Sequence, residues 1–414
     1  MPLVTVKLET AVRRTFRVEQ VAGMFDVPIE QRLKHELTAE VPGLDEPWTI
    51  GAIVGPSGSG KTTLARAAFG KAIYKPRAWP KDRAIVDVLG CGAGVPPAAE
   101  MNGRRDAFPT IKEITRVLVA VGLGSPPAWL KPYHVLSTGE RFRADLARCL
   151  LAAGRNLTQR RRGAEDEHRH SLCASAPLRE HSLLVVDEFT GALDRTIAKT
   201  TSAALARLLR TPGSPIRFVA VTCHRDILPW LAPDWILDLG ARTAGQASSG
   251  TQSSILTRQR PAKPRLKLVF DRVPQAMWTQ FAGHHYLAGG LAASATCYAA
   301  LWNREPLAFC AVVAVLGQRR MKRIQRLVTL PAFQGMGLGG RLLDLVAGAE
   351  SQRGFRVTIT ASHPAILAHC SRSRRWRLVD VKKHGSTRQT FDGREVPSSA
   401  GRAVAAFEFV GAEG

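Results

Sequence analysis

Two glycine-rich stretches of this 414-residue chain have the residue types and spacing to grip phosphate. In Gly55-Pro-Ser57-Gly58-Ser59-Gly60-Lys61-Thr62-Thr63 the glycines let backbone N–H groups turn toward a β-phosphate. The Lys61 ammonium can then reach the β and γ oxygens, and the Thr62 hydroxyl can ligate Mg²⁺. Gln334-Gly335-Met-Gly337-Leu-Gly339-Gly340 sets a second group of N–H donors at the start of a helical pattern, again suited to an anion. The first stretch reads as a nucleotide clamp. The second suits a coenzyme pyrophosphate or a dinucleotide-binding βαβ unit.

Other side chains could act beside these loops. Leu183 to Val186 is an apolar run ending in Asp187 and Glu188; Asp187 would hold the metal and Glu188 would polarise an attacking water. Leu136-Ser137-Thr-Gly139-Glu140 opens an arginine-studded amphipathic helix over 141–151, and Ala192-Leu-Asp194 and Cys223-His224 follow the carboxylates. In the last third, His284-His285-Tyr286 and Ser362-His363-Pro364 supply imidazoles that titrate near neutrality and suit base work. The plainer reading is a pair of surface histidines and a helix-start Ser-x-Pro.

The elements that must position these groups are legible as patterns. Trp48–Val54 reads as a strand and Thr63–Phe69 as a helix closed by Gly70, the strand, loop, helix order that a phosphate loop requires. Leu183–Asp187 and Arg217–Thr222 read as further strands. Toward the end come a helix over Pro274–Ala282, strands Thr296–Trp302, Leu307–Val315, Met321–Leu330 and Phe355–Thr360, and a helix entered from Gln334. The Ser/Gly/Gln-rich stretch near 244–254 and the basic, Pro-containing 258–265 predict a linker. The expected organisation is therefore residues 1–240, with a polar insertion at about 155–181 that forms a disordered or mobile excursion; a flexible basic linker, 241–263; and residues 264–414.

With five elements in order across 45–240, the first part resembles an ABC-type ATPase with a P-loop NTPase fold. The resemblance makes Leu136–Glu140 the signature loop, Ala192–Asp194 the D-loop and His224 the residue that senses the γ-phosphate. It implies ATP, with Gly55, Ser57, Gly58, Ser59, Gly60, Lys61, Thr62 and Thr63 around the phosphates and Thr62 and Asp187 on Mg²⁺. Ser137, Gly139 and Asp194 would complete the site of a second copy, which implies a homodimer. Leu-Val-x-Leu-Pro-x-x-Gln-Gly-x-Gly-x-Gly resembles motif A of the GNAT acyltransferases, implying an α+β fold over 264–412 and acetyl-CoA or another acyl-CoA as cofactor. On that resemblance Gln334, Gly335, Gly337, Gly339 and Gly340 cradle the pyrophosphate, and Leu327, Val328 and Thr329 face the pantetheine. His-His-Tyr with the later Ser-His-Pro resembles the Mom-like branch, associated with DNA base modification.

Departures from these patterns bear on function. No glutamine lies between Leu64 and Val135, so the Q-loop contact to membrane domains has no counterpart, and Asp87 is a substitute candidate. Thr138 and Glu140 stand where transporter ATPases carry Gly and Gln, which resembles the DNA-handling, SMC-type ATPases. Phe189 replaces the proline after the catalytic glutamate, and Phe25 is the candidate adenine-stacking aromatic, with a core role as its rival. No tyrosine follows Tyr298, so the family's thiolate-protonating role falls vacant or passes to His369, Cys370 or Ser371.

The net charge of +24 is concentrated after residue 250, where 24 Lys and Arg face 9 Asp and Glu. That field favours polyanions, so nucleic acid is the expected partner. Arg319–Arg323 and Arg372–Arg377 would supply phosphate contacts, with Trp376 to stack on a base, unless they are solvated faces. The longest uncharged apolar stretch, Pro306–Gly317, is too short to span a bilayer, and seven scattered cysteines predict neither disulfides nor a zinc site; a soluble cytoplasmic protein is expected. The whole predicts an ATP-hydrolysing ABC-type ATPase coupled to an acyl-CoA-dependent N-acyltransferase acting on a nucleic-acid base. The alternatives are transfer to a protein or small amine, and an ATP-binding clamp or transport-associated ATPase whose second domain binds CoA without catalysis.

Overall fold

The computed structural model of the chain describes residues 3–11, 13–26, 32–91, 109–168, 182–240, 254–285, 290–382, 389–391, 394–396 and 403–411. It is a mixed α/β protein of two compact units that do not follow chain order. One unit gathers Met1–Pro76, Arg160–Ala192 and Pro212–Lys263; the other gathers Arg77–Gln159, Leu193–Thr211 and Pro264–Gly414.

In the first unit β1 (Leu3–Ala11) and β2 (Arg32–Glu40) form an antiparallel ribbon. A five-stranded sheet is built from β3 (Ile50–Val54), β4 (Ser182–Val186), β5 (Ile216–Thr222), β6 (Trp235–Asp238) and β7 (Ile255–Thr257), in the order β4-β5-β3-β6-β7. Every pairing is parallel except β6 with β7. Strand β3 is buried at all five positions, which is why its sequence reads as an unbroken apolar run rather than an alternation. Gly51 within it is obligatory on packing grounds: a Cβ there would lie 2.1 Å from the Trp235 indole.

Two expectations change here. The 241–253 part of the predicted linker lies outside the described residues, but 255–257 are a sheet strand. Beyond them, Arg258 pairs with Glu46 at 2.6 Å and Arg260 pairs with Asp234, so this half is built into the unit instead of hanging free. The expected excursion at 155–181 begins as helix, because the helix from Thr138 continues to His168; residues 169–181 lie outside the described residues.

The second unit joins helices to a larger sheet. The helices Ile85–Cys91, Ile111–Ala120, Pro126–Trp129 and Arg195–Leu209, and the Thr138–His168 helix as far as Gln159, belong to it. Its sheet contains β8 (Val269–Val273), β9 (Thr296–Trp302), β10 (Glu305–Ala314), β11 (Met321–Thr329), β12 (Arg356–Ala361) and β13 (Trp376–Lys382). Beyond a small ribbon of β14 (Gln389–Phe391) and β15 (Arg394–Val396), β16 (Val404–Phe409) enters that sheet to give the order β13-β16-β12-β11-β10-β9-β8. Only β11 and β12 pair in parallel, and the Leu338–Gln352 helix crosses between them. Its Leu342, Leu343, Val346 and Ala347 pack on Ile324, Val357, Ile359 and Phe407. The same helix carries a fully buried Glu350, which accepts from Tyr298 Oη at 2.6 Å and Lys322 Nζ at 2.7 Å. Burial alone would raise the Glu350 pKa, yet these donors bring it below the ordinary value, and the Tyr298 phenol is pushed up to about 12 by its own burial and by Glu350.

Candidate functional site

The first glycine loop turns between β3 and the Lys61–Phe69 helix. Gly60 caps that helix with φ of 78° and Gly58 has φ of 79°, backbone that a side chain at either position would strain. Lys61 reaches back over the loop and donates to the Pro56 carbonyl. Thr62 Oγ1 donates to Asp187 Oδ1 at 3.2 Å, although β5 separates β3 from β4 in the sheet. The Ser59 hydroxyl is buried in the loop with no partner among the described residues. Chemically, the hydroxyl and carboxylate suit a hard cation and the lysine suits a phosphate, with a buried hydroxyl to spare. Among the described residues no group of three or more His, Cys, Asp or Glu could hold a metal ion.

Glu188 has left-handed backbone, φ 50°, and its side chain is exposed at the end of β4. Its amide donates to Asp187 Oδ1 at 2.9 Å, and the turn is closed by Gly191 N to Glu188 O at 2.8 Å. Phe189 is fully buried against Phe218, with ring centroids 5.4 Å apart, so the residue in the proline position anchors the turn to the core. His224 is half-buried directly after β5, its amide donating to Thr222 Oγ1 at 3.1 Å. Phe25 is 69% exposed, which removes the core role as its explanation.

In the second unit Ser137 and Glu140 form a capping box: Glu140 accepts from the Ser137 amide and hydroxyl, both at 2.9 Å, and Ser137 Oγ accepts from the Glu140 amide at 3.3 Å. Glu140 thus has a local structural reason. Ser137 remains exposed, and Gly139 lets Ile197 come within 3.2 Å of where its Cβ would lie. Ahead of this turn, Trp79 stacks on Tyr133 at 4.9 Å and both donate to Asp145. Asp194 caps the Arg195–Leu209 helix through bonds from Thr196 N and Ile197 N. Asp87 is exposed on the Ile85–Cys91 helix.

The second glycine loop leaves β11, where the ladder to β12 ends at Ile324–Ile359 although both strands continue, to Thr329 and Ala361. On the other side the register with β10 jumps from Ile324 to Arg326, leaving Gln325 as the extra residue of a β-bulge. The strands therefore part, and Leu327, Val328 and Thr329 have no β12 partner on that side. Gly337 caps the following helix with φ of 81°. Beyond this the cradle departs from a free loop. Gln334 accepts from the Gly124 amide at 2.7 Å and donates to Thr329 O at 3.1 Å. A Cβ on Gly335 would meet Ala204 at 2.7 Å, one on Gly337 the Arg207 guanidinium at 1.9 Å, and one on Gly340 the His369 ring at 2.6 Å. A Cβ on Gly339 would lie 3.1 Å from Thr329 Oγ1.

The histidines part company. His363 Nε2 contacts the Gly124 carbonyl at 2.8 Å, so it carries the proton, while Nδ1 accepts from Ala365 N at 3.2 Å and caps the Pro364–Arg372 helix. Burial holds its pKa below the ordinary value, against the carbonyl bond that raises it. With both nitrogens engaged, His363 is a helix cap and not the free base expected of it. His284 is exposed after the short Thr279–Ala282 helix, and His285 meets the Trp278 ring edge at 5.9 Å. Tyr286 lies outside the described residues. Among the vacant-role candidates Cys370 is buried in the core, its thiol pushed up to about 12 by burial, and Ser371 is exposed. His369 is held by Asp344 Oδ1 at 2.9 Å, which also accepts from Trp376 Nε1 at 2.8 Å. Burial opposes ionisation of Asp344, but these two hydrogen bonds bring its pKa below the ordinary value.

Trp376 is correspondingly unavailable for stacking on a base: it is 5% exposed and packs edge-on against Phe409 at 5.2 Å. Arg377 and Arg356 both bind Glu408 at 2.7 Å. No helix among the described residues is long and apolar enough to cross a membrane.

Pattern reading missed two arginines. Arg143, 2% exposed in the arginine-studded helix, donates to Thr201 Oγ1 at 3.1 Å, Gly122 O at 3.1 Å and Pro331 O at 2.6 Å, and burial lowers its pKa to about 10. Its spacing does set it apart: Arg143 shares the helical face of the buried Leu146, Ala147 and Leu150, whereas Arg141 and Arg148 are half-buried on another. Arg207 reaches Gly337 from a segment 130 positions away, which no local motif records.

Solved structures similar to this chain include an IAA acetyltransferase from Bacillus cereus, at 12% identity and a TM-score of 0.26, covering 34% of this chain and 99% of that one. A ribosomal-protein-S18-alanine N-acetyltransferase from Escherichia coli is 16% identical with a TM-score of 0.27, over 36% and 97% of the two chains. A dimeric bacterial ABC transporter cassette is 14% identical with a TM-score of 0.33, over 55% and 93%. No protein-family model matches the chain, and no curated protein matches it.

Proposed function

We propose that this protein hydrolyses ATP at the first glycine loop and transfers an acyl group from coenzyme A to an amine at the parted strands β11 and β12. The observation that carries the transferase half is the early end of the β11–β12 ladder beside a bulge, with a glycine-capped helix at its mouth. Leu327–Thr329, paired with β10 but past the end of the β12 ladder, would turn main-chain groups such as those of Leu327 toward an amide-rich pantetheine arm, although Thr329 O already accepts from Gln334. The coenzyme when bound would supply a thioester open to attack by an amine. Proton management falls to this chain's own residues: His284 or His285 to deprotonate the amine, and His369, oriented by Asp344, to return a proton to sulfur. In the ATPase half Lys61 and the loop N–H groups hold phosphate, Thr62 and Asp187 hold Mg²⁺, Glu188 polarises water and His224 faces the γ-phosphate. Ser137, exposed on its capped turn, would complete the site of a second copy, making the active species a homodimer.

The acceptor we favour is an exocyclic amine of a nucleic-acid base, supported by the cationic excess after residue 250. A protein or small-molecule amine is the second reading. The burial of Trp376 and the pairing of Arg356 and Arg377 with Glu408 favour it, since these groups are spent inside the fold. Purified protein incubated with ATP, labelled acetyl-CoA and, in parallel, DNA, RNA and a peptide mixture tests both. Label in nucleosides after digestion supports the first reading; label only in peptides overturns it in favour of the second. No label in any pool, with ATP hydrolysis intact, overturns the transferase.

A further inference from the structure

The second glycine loop borders a pocket of about 350 Å³ lined by Arg207, Ala365, Ala368, His369, Arg372 and Ser373. Ala365, Ala368, His369 and Arg372 share one face of the Pro364–Arg372 helix, at the spacing of successive helical turns. The two alanines leave the space that the charged residues border. Arg207 comes from the Arg195–Leu209 helix, and all of these segments lie in the second compact unit. Neither Arg207 nor Arg372 has an acidic partner among the described residues. The only nearby carboxylate that the histidine uses, Asp344, is occupied by His369 and Trp376.

Arg207 and Arg372, both exposed, bring two guanidinium groups to one pocket, and Arg207 also lies against Gly337, the cap of the Leu338–Gln352 helix, whose amino-terminal N–H groups carry partial positive charge. An arrangement of like charges around an open space is stable when an anion of two or more charges joins them. The absence of a Cβ at Gly337 is what lets Arg207 come so close: any side chain there would displace the guanidinium.

We propose that Arg207 is a phosphate-binding residue of the coenzyme pocket, so that this pocket is composite. One wall comes from the Pro364–Arg372 helix and the other from the helix that Asp194 caps. Arg207 lies thirteen residues along that helix from Asp194, a rise of about 20 Å. One rigid element therefore has the residue expected to meet the partner's nucleotide at its start and a coenzyme ligand near its end. The naming of the anion as coenzyme A rests on the transferase reading above; the composite anion site does not.

The test is binding of coenzyme A and of inorganic pyrophosphate to the full-length protein by calorimetry, for wild type, Arg207→Ala, Arg207→Glu and Arg207→Lys, with thermal unfolding and ATP binding as fold controls. Loss of charge-assisted hydrogen bonds to phosphate should weaken coenzyme A about 10- to 100-fold in Arg207→Ala and more in Arg207→Glu. Arg207→Lys should fall between, keeping charge but not the planar fork. ATP binding should be unchanged in all three. Equal coenzyme affinity in wild type and Arg207→Glu overturns this inference and leaves the transferase reading standing. Pyrophosphate binding that needs Arg207 without coenzyme A binding overturns the coenzyme reading and leaves the anion site. Binding of neither ligand by folded wild type overturns both.

Discussion

The two glycine loops share the backbone conformation of their caps and differ in what surrounds them. Each leaves a strand and enters a helix through a left-handed glycine cap, Gly60 at φ 78°, ψ 10° and Gly337 at φ 81°, ψ 14°. In the first loop Gly58 serves the backbone alone, with open space where a Cβ would go and only its φ excluding other residues, while a Cβ on Gly55 or Gly60 would meet Ser59 Oγ at 2.7 Å or Leu37 at 3.1 Å. Around the second the glycines serve contact, since Ala204, Arg207 and His369 occupy the positions that side chains on Gly335, Gly337 and Gly340 would take. The first loop also carries its own cation, Lys61, one position after its cap. The second receives its cation from a distant helix. A cation can thus reach a glycine loop from its own sequence or from a distant segment by tertiary packing, and only the local kind is a motif.

The comparison is broken most severely at Lys61. Lys61→Ala removes the first loop's only cation, and ATP hydrolysis measured by phosphate release should fall at least about 100-fold while coenzyme A binding is unchanged, if the two sites are chemically independent. Gly337→Val should act on the second loop alone. It forces a β-branched residue into left-handed backbone and into the Arg207 guanidinium, and coenzyme A affinity by calorimetry should drop about 100-fold with Lys61-dependent hydrolysis retained. The matching Gly58→Ala should cost only the backbone term, about 1 kcal/mol by chemical denaturation, because no atom lies within 4 Å of the new methyl.

Arg143→Met sharpens the contrast from the packing side. It leaves the Gly122 and Pro331 carbonyls without their donor, and urea unfolding should report a loss of about 2–4 kcal/mol, with hydrolysis at the first loop falling less than coenzyme affinity at the second.

The smallest effect is one of pH. His363 is held neutral in the fold, with its pKa below that of the unfolded chain, about 6.5. Above that pH neither state is charged and the residue is neutral to stability. As pH falls below it the unfolded chain takes up a proton that the native ring resists. Stability drops until the native ring is itself protonated, and then levels. The melting temperature of wild type should therefore fall more steeply between pH 6.5 and 5 than that of His363→Asn, which keeps a helix-capping side chain without the titration.

Much of the framework was legible because it rests on short-range rules. Arg217–Thr222 and Thr296–Trp302 appear at or within a residue of their predicted bounds, since buried strands need unbroken apolar β-branched runs and turns need Gly, Pro or Asn. The Ser137–Glu140 turn was read for its resemblance, yet its capping box explains Glu140 on local grounds alone. Trp376 and His363 show the limit. A tryptophan amid arginines reads as a stacking platform and a His before Pro as a base, and neither pattern reveals Asp344 or the Gly124 carbonyl that claims them. The division of the chain into two units that interleave in sequence was invisible for the same reason: strand and helix patterns say what a segment is, not which segment it will meet.

What the sequence determined by itself, then, is the first loop with its lysine and threonine, because the glycines, cation and hydroxyl that define it stand within a few positions of one another, and the end of β4, whose Asp187 meets Thr62 from 125 positions away. What only the tertiary structure decided is the second site. Its parted strands come from pairing within one stretch of chain, but the filling of Gly335 by Ala204 and of Gly337 by Arg207 comes from packing between segments more than a hundred residues apart, and packing leaves its record in distances rather than in spacing.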